Sequence, residues 1–126
     1  MNKFKYKTGK VCFGKMCFEV EIARTILEKI KGLSGRKSLG EDKGMLFAFD
    51  FQSIYPFSMK NTLIPLDIIW LDKNMRIVDI RKVNKPCISF FCQPIIPRKL
   101  AKYVLEINCG LCDKLGIKIG DVSEIK

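Results

Sequence analysis

Lys10-Val11-Cys12-Phe13-Gly14-Lys15-Met16-Cys17-Phe18-Glu19 decides the fold. Large apolar residues alternate with polar or small ones on both sides of Gly14-Lys15, a two-residue turn with glycine first, the type II′ preference of hairpins. Pairing across that turn sets Phe13 opposite Met16, Cys12 opposite Cys17, Val11 opposite Phe18 and Lys10 opposite Glu19. Period two then places Val11, Phe13, Met16, Phe18, Val20 and Ile22 on a core-facing side. Cys12, Cys17, Glu19 and Glu21 share the other side. In this register Cys12 and Cys17 form a non-hydrogen-bonded cross-strand pair, where side chains approach most closely, and disulfide reach is expected.

Working outward, Thr25-Ile26-Leu27-Glu28 has capping-box spacing, and Gly32 supplies a left-handed stop. A short helix over 26–31 follows, with Ile26, Leu27 and Ile30 in one stripe. The large residues of Met45-Leu46-Phe47-Ala48-Phe49-Asp50-Phe51 alternate as in a strand facing a core. Residues 55–60 repeat the alternation, with Pro56 marking an edge or a strand's start. Asn61 to Pro65 turns the chain. Leu66-Asp67-Ile68-Ile69-Trp70-Leu71 is apolar on both faces, as a central strand is, and Asp72-Lys73-Asn74-Met75 is a hairpin turn into Arg76-Ile77-Val78-Asp79-Ile80. Three prolines make 85–98 an irregular crossing. Residues 102–107 form another strand, Asn108 is placed to cap a short helix ending at Gly116, and a last strand runs from Gly120 through Ile125. The chain reads as mainly β, α+β by content.

The totals set limits. The 126 residues fit a single domain, 1–126, and 48% of them are hydrophobic, enough for one core. No apolar run approaches the roughly 18 residues of a membrane span. The basic start, Met1 to Lys7, lacks an apolar stretch and does not read as a signal peptide, so a cytoplasmic location is the expectation. Lys+Arg number 23 against 13 for Asp+Glu, a formal charge of +10, either a solvated lysine surface or attraction to anions. There is no histidine, which excludes Ser-His-Asp and Cys-His catalysis and every His-ligated metal site.

Three stretches carry a resemblance. They are Gly32-Leu33-Ser34-Gly35-Arg36, then Gly44-Met45-Leu46-Phe47 with Met59-Lys60-Asn61-Thr62-Leu63-Ile64-Pro65-Leu66-Asp67, then Tyr103 to Gly110 with Leu115-Gly116-Ile117-Lys118-Ile119-Gly120-Asp121. In order and spacing, from about residue 18 to the end, they resemble the domain of unknown function family 192, also called uncharacterised protein family 0127. The resemblance implies a compact β-sandwich or flattened barrel of antiparallel strands with one or two short helices. It implies no activity, because that family has none assigned. Ser58 stands where the family often has tryptophan, and Ser34-Gly35 where it has bulkier residues, which opens any pocket wall there.

Lys60, Asn61 and Thr62 leave a strand together, with Asp67 a few residues on. They offer a cationic donor, an amide that donates and accepts, and a hydroxyl. Arg36 adds a planar fork suited to carboxylate or phosphate. With Asp67 these residues are expected to line a shallow polar pocket for an anionic or hydroxyl-rich small molecule. The competing reading is structural: Asn61 and Thr62 tie down a turn, with Lys60 paired to Asp67 or Glu106. Asp67, Asp72 and Glu106 are the carboxylates available for acid–base work, although no reaction follows from the residues. A basic RNA- or nucleic-acid-binding module, with Phe90, Phe91 and Tyr103 as stacking groups, is an alternative without a recognised motif. A protein-interaction domain without a catalytic site is another.

Cys109-Gly110-Leu111-Cys112 is a C-x-x-C at a helix start, which could lower a thiol pKa, or with Cys87 and Cys92 complete a four-thiolate zinc site. A lone C-x-x-C is a weak signal, and neither a metal nor a cofactor is expected. Six cysteines in a chain without a signal stretch normally stay reduced, hyperthermophile proteins excepted. Abundant lysine, isoleucine and glutamate with only two glutamines is compatible with such a source.

Overall fold

The computed structural model describes residues 5–126; most of the basic Met1-to-Lys7 stretch lies outside the described residues. Its strands are β1 (Lys7–Phe13), β2 (Met16–Ala23), β3 (Lys43–Ser53), β4 (Leu66–Leu71), β5 (Ile77–Val83), β6 (Ala101–Asn108) and β7 (Glu124–Ile125). Two short helices, α1 (Ile26–Lys31) and α2 (Leu111–Leu115), accompany them. The strands form one sheet in the order β5-β4-β6-β3-β2-β1-β7, curled into a half-barrel.

The β1–β2 hairpin has the register its sequence demands, with Cys12 opposite Cys17 and Phe13 opposite Met16. Gly14 takes a positive φ of 64° at the first turn position, which a side chain would strain. The family's antiparallel expectation holds for every strand pair except β2–β3, which run parallel. The 24–42 connection between them contains α1 and is long enough for the crossover that parallel pairing needs.

Burial on both faces of the curled sheet divides the apolar residues into two clusters. Val11, Phe18, Leu46, Ile69, Leu105 and Ile107 pack with α2 residues on one face. Met45, Phe47, Leu66, Ile68, Trp70 and Val104 pack on the other, beneath Leu33, Met59 and Ile64. β4 feeds both, which is why all six of its residues are buried. β3 and β6 come unusually close at Gly44, where an added Cβ would lie 2.8 Å from the Glu106 carbonyl oxygen.

Two local expectations are corrected. Residues 55–60 do not form a strand; they make isolated bridges only, Phe57 to Ile95 and Lys60 to Cys87. Pro56 has no donor to give a ladder, and the alternation reflects an extended segment lying across the sheet. Phe57 packs edge-on against Phe47 and Trp70, with ring centroids 4.7 and 6.1 Å away. Helix α1 spans the residues expected, with both halves of the Thr25–Glu28 capping box present. Its apolar stripe nevertheless faces outward, with Ile26 76% and Ile30 75% exposed, and Leu33, just after it, enters the core instead. Asn108 does not cap α2, because its amide donates to the Leu39 carbonyl. Gly110 is the N-cap, and the buried carboxylate of Asp67 accepts from the Gly110 and Cys112 N–H groups.

Candidate functional site

The turn after Met59 is built by backbone atoms. Thr62 N–H donates to the Met59 carbonyl at 2.9 Å, and Asn61 adopts φ 60°, a left-handed conformation that asparagine tolerates better than most residues. The Asn61 carbonyl accepts from Gly35 N–H at 2.9 Å, which ties the turn to the segment leaving α1. These bonds use no side-chain atom of Asn61 or Thr62. Between the two tied segments lies a cleft of about 500 Å³ whose lining includes Ile30, Lys31, Ser34, Lys60, Asn61, Thr62 and Glu106.

Glu106 is the unusual member. It sits on β6 between Met45 of β3 and Ile68 of β4, on the face of the second apolar cluster, and only 4% of it is exposed. No cation or donor among the described residues pairs with its carboxyl. Burial pushes its pKa up to about 8, so the group is mostly protonated at neutral pH. A protonated carboxyl both donates and accepts. The Asn61 amide and the Thr62 hydroxyl, lining the same cleft, likewise have no side-chain hydrogen bond among the described residues. At the rim, Lys31 Nζ donates to the Ser34 carbonyl, and Lys60 Nζ lies 5.4 Å from the Phe90 ring centroid.

Of the five residues expected to share a pocket, Lys60, Asn61 and Thr62 line this cleft and two do not. Arg36 is paired with Glu21, beside a separate depression next to β2. Asp67 lies on the opposite face of the sheet, because β4 alternates and Ile68, not Asp67, shares the face of Glu106. Lys60 makes no ion pair with either carboxylate among the described residues. The other two acid–base candidates are also engaged or alone. Asp72 accepts from the N–H groups of Asn74 and Arg76 in its turn, and the cleft lining holds no second carboxyl beside Glu106. Glu106, one of the acid–base candidates, is marked in the sequence by its place inside an apolar strand, Val104-Leu105-Glu106-Ile107, where a carboxylate is costly.

The cysteines separate into pairs. Cys12–Cys17 and Cys87–Cys92 are disulfides, with Cα atoms 4.0 and 6.0 Å apart, and Cys109 and Cys112 are free. The C-x-x-C thiols are not activated. Burial, with the Asp67 carboxylate beside them, raises the pKa of both, Cys112 the more strongly. No cluster of three metal-ligating side chains occurs among the described residues. No helix among them is long and apolar enough to cross a membrane.

The family model DUF192, described as "Uncharacterized ACR", matches residues 10–125. The chain belongs to the DUF192 family. DUF192 relatives include UPF0127 proteins of Thermococcus kodakarensis, 28% identical over 90% of this chain, and of Thermococcus sibiricus, 30% identical over 96% of it. The matches span 66% and 70% of those longer proteins. A crystal structure of a Sinorhizobium meliloti protein, named only as a candidate transcription regulator, superposes with a TM-score of 0.89 at 29% identity and covers 98% of both chains. A Novosphingobium aromaticivorans protein of unknown function gives 0.82 at 37% identity, over 94% of this chain and 84% of its own. The DUF192 fold is therefore shared over almost the whole chain, and neither name assigns an activity to this one.

Proposed function

We propose that the cleft between α1 and the 59–62 turn binds a small molecule that carries hydroxyl groups and an anionic group. The observation that carries this reading is the buried, unpaired carboxyl of Glu106 beside two side chains with unused hydrogen-bonding capacity. Buried carboxyls in native proteins are almost always paired, so Glu106, set at the cleft without a protein partner, points to one from outside; Thr62 is buried beside it, and Asn61 is exposed in the same lining. Protonated Glu106 would donate to a ligand oxygen, Asn61 would donate and accept, and Thr62 would accept or donate through its hydroxyl. Lys31 and Lys60 at the rim supply the positive charge for an anionic group. Because the turn is held by backbone atoms, its side chains are available for this role.

Thermal-shift and calorimetric screening against hydroxy acids, sugar phosphates and polyols tests the proposal. At least one class is expected to stabilise the wild type. Asn61→Ala and Lys60→Ala should weaken that effect by tenfold or more, as loss of a hydrogen bond or charge contact does, while Arg36→Ala leaves it unchanged. A ligand response that survives the Lys60→Ala/Asn61→Ala double variant, or no response in the wild type to any of the classes, refutes it.

A further inference from the structure

Six exposed apolar side chains, including the four most exposed among the described residues, stand on two segments beside the same cleft. One is α1, whose Ile26, Leu27 and Ile30 are all largely exposed. The other is the 88–91 loop, closed at its base by the Cys87–Cys92 disulfide, where Phe90 is 95% exposed and Ile88 and Phe91 project as well. Lys60 joins the two, because it lines the cleft with Ile30 and approaches the Phe90 ring. Exposed apolar groups on two projecting tips are costly in water and signal a surface that is covered in use.

The charge around these tips is predominantly positive. Between Asp79 and Glu106 the chain has no acidic residue and carries Arg81, Lys85, Arg98 and Lys99, besides Lys82, which pairs with Asp113 beside α2, and Lys102, which lines a separate depression. The segments 29–40 and 51–66 are likewise free of acids and add Lys29, Lys31, Lys37 and Lys60. The exceptions nearby are accounted for. Glu28 serves the α1 capping box, Asp79 is buried against Arg98, and Glu106 is buried at the cleft. Asp50 is the acidic group that faces Lys29, at the far side of α1.

We propose that this face docks on an anionic lipid bilayer, with the 88–91 loop and α1 dipping into the headgroup boundary and the lysines lying over the anionic lipids. Apolar tips ringed by basic residues are the combination that interfacial binding requires, each lysine near such a surface adding attraction to the burial of apolar groups. The aliphatic members decide against a single-stranded nucleic acid. Phe90 and Phe91 could stack on bases, but Ile26, Leu27, Ile30 and Ile88 have no stacking role and are suited to acyl chains. This proposal shares Ile30, Lys31 and Lys60 with the ligand cleft but not Asn61, Thr62 or Glu106, and Phe90 and Phe91, which decide its test, are not in the cleft lining, so the two readings fail separately.

Vesicle co-sedimentation tests it, with phosphatidylcholine alone and with about one-third phosphatidylserine or phosphatidylglycerol. Wild type should bind the anionic vesicles at least tenfold more tightly than the neutral ones. Phe90→Ser/Phe91→Ser should weaken anionic binding at least tenfold while circular dichroism shows the fold retained, and Ile30→Ser should weaken it by a smaller factor. Three results would each overturn the proposal. They are absence of binding to anionic vesicles, binding that the double phenylalanine variant leaves unchanged, and tighter binding to single-stranded RNA that depends on the same phenylalanines. Self-association in ultracentrifugation that Phe90→Ser/Phe91→Ser abolishes would overturn it too, by assigning the face to a second copy.

Discussion

Replacing Glu106 with glutamine should make the protein more stable in alkali and leave it nearly unchanged in mild acid. In an unfolded chain the carboxyl titrates near 4.5, whereas in the folded protein burial holds it at about 8. Between those two values the folded state keeps a proton that the unfolded chain has released. Folding stability therefore falls as pH rises across this window; the loss begins near 4.5 and is complete above about 8. At about 1.4 kcal/mol per pH unit, crossing the window removes on the order of 5 kcal/mol. That is a large part of the 5–15 kcal/mol or so that typically holds a domain together. Glutamine keeps the shape of the protonated carboxyl and cannot ionise, so Glu106→Gln should lose this dependence. Urea unfolding at pH 4.5 should give nearly equal stabilities for the two proteins. At pH 8.5 the variant should be more stable by several kcal/mol. A constant difference between them across the range would show that Glu106 does not titrate as its burial implies.

Two further outcomes follow from the packing and from the thiols. Gly44→Ala should lower stability by about 1–3 kcal/mol in thermal or urea melts, because the new Cβ would meet the Glu106 carbonyl oxygen at 2.8 Å and Ile107 Cγ2 at 3.0 Å in a sheet that cannot easily part. Thiol titration of the denatured, unreduced protein should find two reactive cysteines, Cys109 and Cys112, and all six after reduction.

Where local rules act alone, the sequence was readable. Gly14-Lys15 sets the hairpin register because a two-residue turn leaves one way to pair the strands, and Thr25 with Glu28 starts α1 at a definite residue. Periodicity could not say what an apolar stripe would face. Ile26, Leu27 and Ile30 have helical spacing, yet α1 buries none of its residues in either cluster and turns this stripe outward. Residues 55–60 alternate like a strand, but partner choice is a tertiary matter, and there Phe57 seeks the rings of Phe47 and Trp70 rather than a ladder. Parallel pairing of β2 with β3 likewise depends on how the 24–42 crossover packs, which no local pattern encodes.

The site shows the same division at the scale of one residue. Asp67 follows Lys60-Asn61-Thr62 closely in the chain, and closeness suggested a shared pocket. β4 then applies period two: Ile68 faces the cleft side and Asp67 faces α2. Its carboxylate, set beneath α2, accepts N–H groups that a short helix leaves without partners. Glu106 is remote from the turn in sequence but is paired with Ile68 across the β4–β6 ladder, so it takes the face that Asp67 does not. The two buried carboxyls thus have opposite fates within adjacent rungs of one sheet. Asp67 is satisfied by backbone donors and serves the fold. Glu106 has no such donors and keeps its proton at neutral pH. Distance along the chain is a poor guide to a site in a sheet; residue parity and ladder register are the better ones.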